Sequence, residues 1–467
     1  MDYTFDVRLT RQDKARNFYH YLAFDVPKGT TRIDVALAVE QNGAELHFGL
    51  LDPTATEFPS GSGIRGWSPQ FHESFFTATD DASPGYLWGP IIAGRWRLLI
   101  GLSSIPEAGA SVRVKIGLGS EPRQTKPQPQ PSTAVRKAAG WYRGDLHTHT
   151  FHSDAEGSPE TLHAQALQAG LDFLGVADHN TTSQRRYFYP ASSPELVFVR
   201  AMEVTTPGGH ANVFGVEGMI DYRLTRPDDV HKLVDHVHAR GGILSVNHDK
   251  PTIPWRYELP RVDCMEVWQS TWIEWNWISL ARYQHRLAAG LRISAIGGSD
   301  YHQPAELKPD GPFVLARPTT VLWLEELSEA AIVKALKAGH GYVTEDPKGP
   351  HLSITADGHP MGTLLESASA IGAEVRGAAG DQLVWIDANG EIESKAIASN
   401  DWTTTLGGSD KCATFVRAEI VAERSYEELY KIAEAALPEA PMVEQIIPIM
   451  RAQKIRRAIS NPIYFGH

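Results

Sequence analysis

Histidine and acidic side chains recur in this sequence where segments with strand character end. Five such segments are followed by imidazole or carboxylate groups: Asp145, His147 and His149; Asp178 and His179; Glu203; His248; and Asp300 with His302. The carboxyl ends of neighbouring parallel strands meet at one edge of a sheet, so these groups are expected to converge. Nitrogen and oxygen ligands of this kind hold divalent metal ions, which activate water. The sequence therefore predicts a metal-dependent hydrolytic site.

Two spacings within these groups support metal binding. His147 and His149 are separated by one residue, so on an extended chain both imidazoles point to the same side and can reach one ion. Asp300 and His302 repeat this spacing with a carboxylate and an imidazole. Glu203 can bridge two ions through its two oxygens, which would hold them about 3.5–4 Å apart.

The elements that must position these groups lie between residues 141 and 345. Segments typical of strands alternate there with segments typical of helices. After the first ligand group, Ser158 is a predicted N-cap, Pro159 takes the first helical position and Gly170 ends the helix. This alternation predicts a parallel α/β architecture, and its length suits a barrel.

The flanking regions have a different pattern. Residues 1–120 contain short alternating strands separated by Gly, Pro and Asp turns, which is typical of a β-sandwich. Residues 121–140 are rich in Pro, Gln and charge and are predicted to be a linker. Residues 346–467 are β-rich, and one stretch of helical character is predicted as an insertion.

Composition limits the kinds of protein this chain can be. Of its 467 residues 42% are hydrophobic and 21% are charged, as in an ordinary globular protein, and the net charge is −12. An acidic balance argues against a nucleic-acid or anionic-membrane partner, and no apolar run is long enough to span a membrane. Cys264 and Cys412 are too few for a thiolate metal site. We expect a cytoplasmic protein with a small-molecule substrate; the sequence does not indicate its oligomeric state.

Several motifs together resemble a known family, the PHP (polymerase and histidinol phosphatase) metallohydrolases. In chain order they are GDLHTHTFHSDAEGSPE, GLDFLGVADHN, AMEVTT, ILSVNHD and GGSDYH. The resemblance covers about residues 141–345, and the flanking β regions look like the large branch that includes carbamate-hydrolysing enzymes. It implies a distorted (β/α)7 TIM-like barrel flanked by an N-terminal β-sandwich and a small β-rich C-terminal domain. It also implies two or three divalent ions, Zn²⁺, Mn²⁺ or Fe²⁺.

Residue by residue, the resemblance implies a ligand set. Its members are His147, His149, Asp154, His179, Glu203, His248, Asp300 and His302. Asp154 stands where some members with three ions have a histidine. The family's histidine after the Glu motif matches either His210, slightly displaced, or Asn212. We expect His210 or Asp300 to handle the proton in catalysis.

Other polar residues near the strand ends have open assignments. Lys250, Arg185 and Arg317 follow strand ends and could bind an anionic substrate, the alternative being ordinary surface charges. Asp145 is expected to orient ligand imidazoles, and Glu266 either does the same or forms a structural ion pair. The leading expectation is a phosphoesterase for a small phosphomonoester or diester. The alternatives are a carbamate, ester or amide hydrolase with the same metal site, and a metal-containing binding or regulatory module.

Overall fold

The structure is a computed structural model in which strands outnumber helices. It describes residues 2–40, 43–69, 72–124, 126–127, 129–130, 135–259, 261–302, 314–423 and 453–466. Most of the helical insertion predicted near the C-terminus lies outside these ranges. No helix in the described part of the chain combines the length and the apolar character needed to cross a bilayer.

The N-terminal region consists of two four-stranded antiparallel sheets and one short helix. Its elements are β1 (Asp2–Leu9), α1 (Arg11–Arg16), β2 (Tyr19–Val26), β3 (Arg32–Val39), β4 (Glu45–Leu51), β5 (Ile64–Pro69), β6 (Ser74–Ala78), β7 (Gly94–Ser104) and β8 (Ala110–Gly119). The sheet orders are β1-β8-β3-β6 and β2-β7-β4-β5. Inward side chains of both sheets, including Ile33, Phe48 and Trp96, form one buried cluster. This is the sandwich that the alternating pattern predicts.

The central region holds the predicted site. Its elements are β9 (Gly140–Thr148), α2 (Pro159–Gln168), β10 (Phe173–Val176), α3 (Arg185–Ala191), β11 (Val197–Thr206), β12 (Gly209–Phe214), α4 (Asp229–Ala239), β13 (Ile243–Val246), β14 (Cys264–Gln269), α5 (Asn276–Ala288) and β15 (Ser294–Gly298). The helix α2 begins as expected, because the Ser158 side chain accepts a hydrogen bond from the Thr161 N–H and Pro159 opens the helix.

The strands β9 to β15 form a curved, mixed sheet. The pairs β9–β10, β10–β11, β13–β14 and β14–β15 are parallel, whereas β12 runs antiparallel to both of its neighbours. A regular (β/α)7 barrel is therefore not what the structure shows. The reason is local: the short turn at Pro207 and Gly208 connects β11 to β12 without room for a helix.

Curvature of this sheet brings its first and last strands together at their carboxyl ends. The Asp300 N–H donates to the His147 carbonyl over 2.8 Å, and the His149 N–H donates to the Tyr301 carbonyl over 3.0 Å. A parallel bridge also joins Thr148 to Tyr301. The ligand-bearing ends of β9 and β15 are thus held side by side.

The sheet continues past β9 into the C-terminal region. The remaining elements are β16 (Thr319–Leu324), α6 (Glu329–Ala338), β17 (Gly341–Thr344), β18 (His351–Ala356), β19 (His359–Pro360), β20 (Leu364–Leu365), β21 (Ile371–Arg376), β22 (Gln382–Asp387), β23 (Gly390–Ala396), β24 (Asp401–Gly407), a 3-10 turn (Ser409–Lys411), β25 (Phe415–Val421), β26 (Arg456–Ser460) and β27 (Ile463–Phe465). The order β9-β16-β17-β26-β25-β22-β23 crosses residue 345, and β19-β18-β21-β24 form a separate sheet. The domain boundaries stay a prediction.

The N-terminal sandwich packs on the central region through a shared apolar cluster. Tyr19 and Trp67 of the sandwich lie in the same buried cluster as Met202, Val204 and Ile220 of the central region. The Tyr19 hydroxyl donates to the Tyr222 carbonyl over 2.9 Å. One face of the sandwich is therefore buried against the central region.

Candidate metal centre

The side chains expected as ligands converge at the carboxyl ends of the central strands. Four overlapping groups each place their ligand atoms within 4.8 Å of one another: His149, Asp154, His179 and His302; His147, His248 and Asp300; His147, His149 and Glu203; and His179, Glu203 and His210. All eight residues implied by the family resemblance belong to these groups. His210 also joins them.

Glu203 lies at the centre of this cluster and is fully buried. Its Oε1 is 3.3 Å from His147 Nε2 and 3.4 Å from His248 Nε2. Its Oε2 is 3.7 Å from His149 Nε2 and 2.7 Å from His179 Nδ1. The two oxygens thus face different imidazoles, as expected of a carboxylate that bridges two ions.

Asp300 and Asp154 provide the other carboxylates. Asp300 Oδ1 lies 3.2 Å from His147 Nε2 and 3.0 Å from His149 Nε2. Asp154 Oδ2 is 3.4 Å from His179 Nε2, and its Oδ1 is 3.3 Å from His302 Nε2. The cluster is therefore elongated, with Asp300 between two imidazoles on one side and Asp154 between two on the other.

Orphaned polar atoms show that this donor set fits metal ions. Several buried ligand atoms make no aligned hydrogen bond in the described part of the chain, although some lie within ion-pair distance of a neighbour: His147 Nε2, both ring nitrogens of His149, Glu203 Oε2, His210 Nδ1, His248 Nδ1 and Asp300 Oδ1. Buried polar atoms are rarely left in this state, and coordination would satisfy them. Burial, helped by His302 and His179, lowers the pKa of His149 to about 3, so its imidazole is neutral as a ligand must be.

The carboxylates also raise the proton affinity of one imidazole. Burial lowers the pKa of His302, but the carboxylates of Asp300 and Asp154 outweigh it and raise that pKa to about 9. A divalent cation would take over the charge compensation that this proton supplies. Metal binding at His302 is therefore expected to release a proton at neutral pH.

Left-handed backbone occurs at three residues of the site. Asn180, next to His179, has φ of 52°, His248 has φ of 21° and Asp300 has φ of 53°. A left-handed backbone conformation at a non-glycine residue costs about 1–3 kcal/mol, and such residues are often found at functional sites. Here the unusual conformation occurs just where strands end and ligands turn toward the cluster.

Glu266, on β14, orients two ligands. Its Oε1 is 2.9 Å from His147 Nδ1, and its Oε2 accepts the His248 backbone N–H over 3.0 Å. The contact with Nδ1 leaves Nε2 of His147 free to face Glu203 and Asp300. Of the two roles that the sequence left open for Glu266, the geometry matches the orienting one.

Two buried aspartates hold the backbone around the ligands. Asp145 was expected to contact ligand imidazoles, but it accepts backbone N–H groups of His147, Ser299 and Ala316 instead. Asp178 accepts from the Thr150 backbone N–H over 2.8 Å. Burial raises the pKa of both carboxyl groups to about 6. The expectation for Asp145 was wrong because its side chain extends from β9 to the backbone that follows β15, at Ser299, and not to an imidazole.

The three residues expected to contact substrate have different surroundings. Lys250 is buried, and its ammonium donates to the backbone carbonyl and the side-chain oxygen of Gln269. Gln269 Nε2 in turn donates to Asp300 Oδ2 over 2.8 Å, which connects Lys250 to the ligand cluster. Sequence reasoning missed Gln269, although it ends the same strand as Glu266.

The other two basic residues do not join the cluster. Arg185 is buried and donates to the carbonyls of Val216 and Ala201 over 2.9 and 3.2 Å, so its guanidinium is used in packing. A substrate contact by Arg185 stays a prediction that this packing does not favour. Arg317 is half-buried, and within the described ranges no hydrogen bond or ion pair joins it to the ligands.

Comparison with known proteins adds weak structural likenesses. No protein-family model and no curated protein matches the sequence. A two-domain protein from Bacteroides vulgatus, described as containing a predicted PHP-like metal-dependent phosphoesterase, is 14% identical, with 64% of this chain and 95% of that chain covered and a TM-score of 0.35. An amidohydrolase from Chromobacterium violaceum with bound sulfate and no metal is 13% identical, with 35% and 88% covered and a TM-score of 0.25. TM-scores below 0.5 do not establish a shared fold.

Proposed function

We propose that this chain is a PHP-type metal-dependent hydrolase that acts on a small phosphomonoester or diester. The proposed ligands are the eight residues His147, His149, Asp154, His179, Glu203, His248, Asp300 and His302, with His210 beside them. They would hold two or three divalent ions, Zn²⁺, Mn²⁺ or Fe²⁺. When bound, such ions supply Lewis acidity and an activated water at neutral pH.

The observation that favours an anionic substrate is the buried ammonium of Lys250. Its Nζ contacts only oxygens of Gln269, and no carboxylate in the described part of the chain lies within ion-pair distance. Burial lowers the pKa of Lys250 to about 8, against the opposing effect of Glu274, so the amine is still mainly charged at pH 7. The carboxylates of Glu274, Glu266 and Asp300 act on this ammonium only at longer range. A buried charge without a direct ion pair is costly unless a ligand compensates it. A phosphate oxygen next to the metal ligands would do so.

The remaining residues have roles that follow from their positions. Gln269 connects Lys250 to Asp300, so the substrate anion and the ligand carboxylate would be held in one hydrogen-bonded chain. Burial lowers the pKa of His210, which keeps its imidazole neutral and able to accept a proton at neutral pH. Its Nδ1 is 3.3 Å from Glu203 Oε1, so His210 is either a further ligand or the group that handles the proton.

The proposal can be tested with matched nitrophenyl substrates after reconstitution with Mn²⁺ or Zn²⁺. The panel contains a phosphomonoester, a phosphodiester, an acetate and a carbamate. Turnover of a phosphate substrate that a chelator abolishes is the expected result. Turnover of only the acetate or carbamate would overturn the phosphoesterase proposal in favour of carboxyl-ester hydrolysis. Silence across the panel, with metal bound, would favour a binding module.

Lys250 provides a sharper test of the substrate class. Lys250→Met removes the charge while keeping the length, and losing one charge-assisted hydrogen bond costs about 1.5–3 kcal/mol. We expect kcat/KM on the phosphate substrate to fall about 10–100-fold, with metal content unchanged. Lys334→Met, on the outer helix α6, is the control and should match the wild type. An unchanged kcat/KM in Lys250→Met would contradict anion binding by Lys250.

A further inference from the structure

The face of the N-terminal sandwich that meets the central region places an indole against a metal-ligand residue. Trp67 lies on β5 and is only 5% exposed. Its ring centroid is 6.1 Å from that of the His179 imidazole, with the two planes at 63°. This is the tilted, edge-on geometry that aromatic pairs prefer. A residue of one region thus limits the orientation of a ligand of the other.

Other aromatic rings support the indole from behind. The His47 ring centroid is 5.6 Å from that of Trp67, and the Phe18 ring centroid is 5.5 Å from that of His47. Trp67 is therefore held between His179 on one side and the sandwich aromatics on the other. Close packing of this kind leaves a buried side chain little freedom to rotate.

The backbone of the sandwich also holds the loop that carries His179. The Gly85 carbonyl accepts both the Trp67 backbone N–H over 3.0 Å and the Thr181 hydroxyl over 2.8 Å. The Gly85 N–H donates to Ser183 Oγ over 2.9 Å. Gly85 has φ of +86°, and a Cβ there would lie 2.2 Å from the Trp67 carbonyl oxygen. The position requires glycine, and through it Trp67 and the ligand loop share one anchor.

At the imidazole itself, both ring nitrogens have partners. His179 Nδ1 is in hydrogen-bond contact with the Thr205 hydroxyl and lies 2.7 Å from Glu203 Oε2, while Nε2 faces Asp154. These contacts act at the ring nitrogens, whereas the indole of Trp67 packs against the ring from the sandwich side. Together they keep Nε2 directed into the group formed with His149, Asp154 and His302.

We propose that the N-terminal sandwich is a working part of the metal centre, in which Trp67 is a positioning residue that holds the His179 imidazole in its ligating orientation. This inference rests on the proposed function, because it assumes that His179 binds a metal ion. The positioning role of Trp67 would make the sandwich part of the metal site as well as a separately packed β region. Loss of the indole should weaken metal binding without removing any ligand.

The test compares Co²⁺ binding, followed by visible absorption, in two matched pairs of variants of the full chain. Trp67→Leu removes the ring, and Trp67→Phe keeps a smaller ring. Trp96→Leu and Trp96→Phe make the same changes in the sandwich interior, where Trp96 is fully buried away from the ligands. Groups that orient a ligand are worth about 10–100-fold in metal affinity, and we expect that loss in Trp67→Leu. Trp67→Phe should be intermediate, and both Trp96 variants should bind like the wild type.

The melting temperature separates positioning from stability. Both Leu variants should lower it, whereas only Trp67→Leu should weaken Co²⁺ binding and change the absorption spectrum. Equal Co²⁺ affinity in the wild type and Trp67→Leu, or equal losses in Trp67→Leu and Trp96→Leu, would overturn the positioning role. If the Leu variants do not fold, the same comparison of Co²⁺ affinity is made between Trp67→Phe and Trp96→Phe. A wild type that binds no Co²⁺ would instead overturn the proposed function on which the inference depends.

Discussion

Two buried histidines, His149 at the strand ends and His47 in the sandwich, show what separates a candidate ligand from a packing residue. Burial is the main cause that lowers the pKa of each, to about 3 for His149 and to about 4 for His47. His149 lies within ion-pair distance of Asp300 and Glu203. His47 lies among Phe18, Tyr19 and Trp67, and no carboxylate in the described ranges pairs with it. Burial makes both imidazoles neutral, but only carboxylate neighbours create a cation site.

The largest expected effect follows from removing the carboxylate beside His149. Asp300→Ala takes away the oxygen that lies near both His147 and His149 and leaves the strand that carries them intact. We expect turnover to fall by more than about 100-fold, beyond the upper end for groups that only orient a ligand, with loss of bound metal. Far-UV circular dichroism should be unchanged. Asp228→Ala, at an exposed position, is the control and should match the wild type. Turnover by metal-loaded Asp300→Ala would contradict the view that the carboxylate beside His149 is needed for the cation site.

The next effect belongs to His47 and concerns acid stability. The ordinary histidine pKa is about 6.5 and that of folded His47 is about 4, so between these values the unfolded state binds more protons. Stability is therefore present above pH 6.5 and is lost as pH falls toward 4, by about 3 kcal/mol. His47→Leu should remove this part of the slope of unfolding free energy against pH, measured by urea titration between pH 4 and 7.

The control for this experiment is His359→Leu, at an exposed position. Its slope should match that of the wild type. Because the comparison uses slopes, a uniform loss of stability in His47→Leu does not affect it. An unchanged slope in His47→Leu would mean that the sandwich histidine is not held neutral by burial.

The smallest expected effect is on metal affinity, when the carboxylate that contacts His147 at the strand ends is neutralised. Glu266→Gln keeps a side chain of the same shape next to His147 Nδ1 but removes the negative charge that makes this imidazole a stronger ligand. We expect metal affinity to fall about 10-fold, measured by competition with a chromophoric chelator. Glu258→Gln, on an exposed loop, is the control. Equal affinities in the wild type and Glu266→Gln would assign Glu266 to backbone support at His248 alone.

The sequence predicts that the candidate ligand side chains lie close together, because these residues lie at strand ends. An i, i+2 pair at the end of a strand, as at His147 and His149, points to one side whatever the rest of the fold does. The same argument does not distinguish the roles of Arg185 and Lys250, because each of them follows a strand. Arg185 begins α3 and is drawn into carbonyls of the segment after β12, and only tertiary packing decides that direction.

The contact between Trp67 and His179 is harder to predict from a sequence than the positions of the strand-end residues. The two residues belong to different regions, and their proximity depends on how the sandwich docks through Tyr19 and its apolar neighbours. Aromatic residues fill sandwich cores routinely, so Trp67 and Trp96 have equivalent sequence patterns. The alternation of strands and helices predicts a parallel sheet and does not predict the antiparallel direction of β12, which follows from the two-residue turn that joins it to β11.

The position of β26 in the large sheet has a consequence for how the protein is made. This strand pairs with β17 on one side and β25 on the other, yet it follows both in the chain. During synthesis, β17 and β25 leave the ribosome before the strand that joins them exists. Until then each exposes unpaired backbone groups of the kind that recruit foreign strands. The nascent chain therefore passes through a stage in which β17 and β25 each have an open edge.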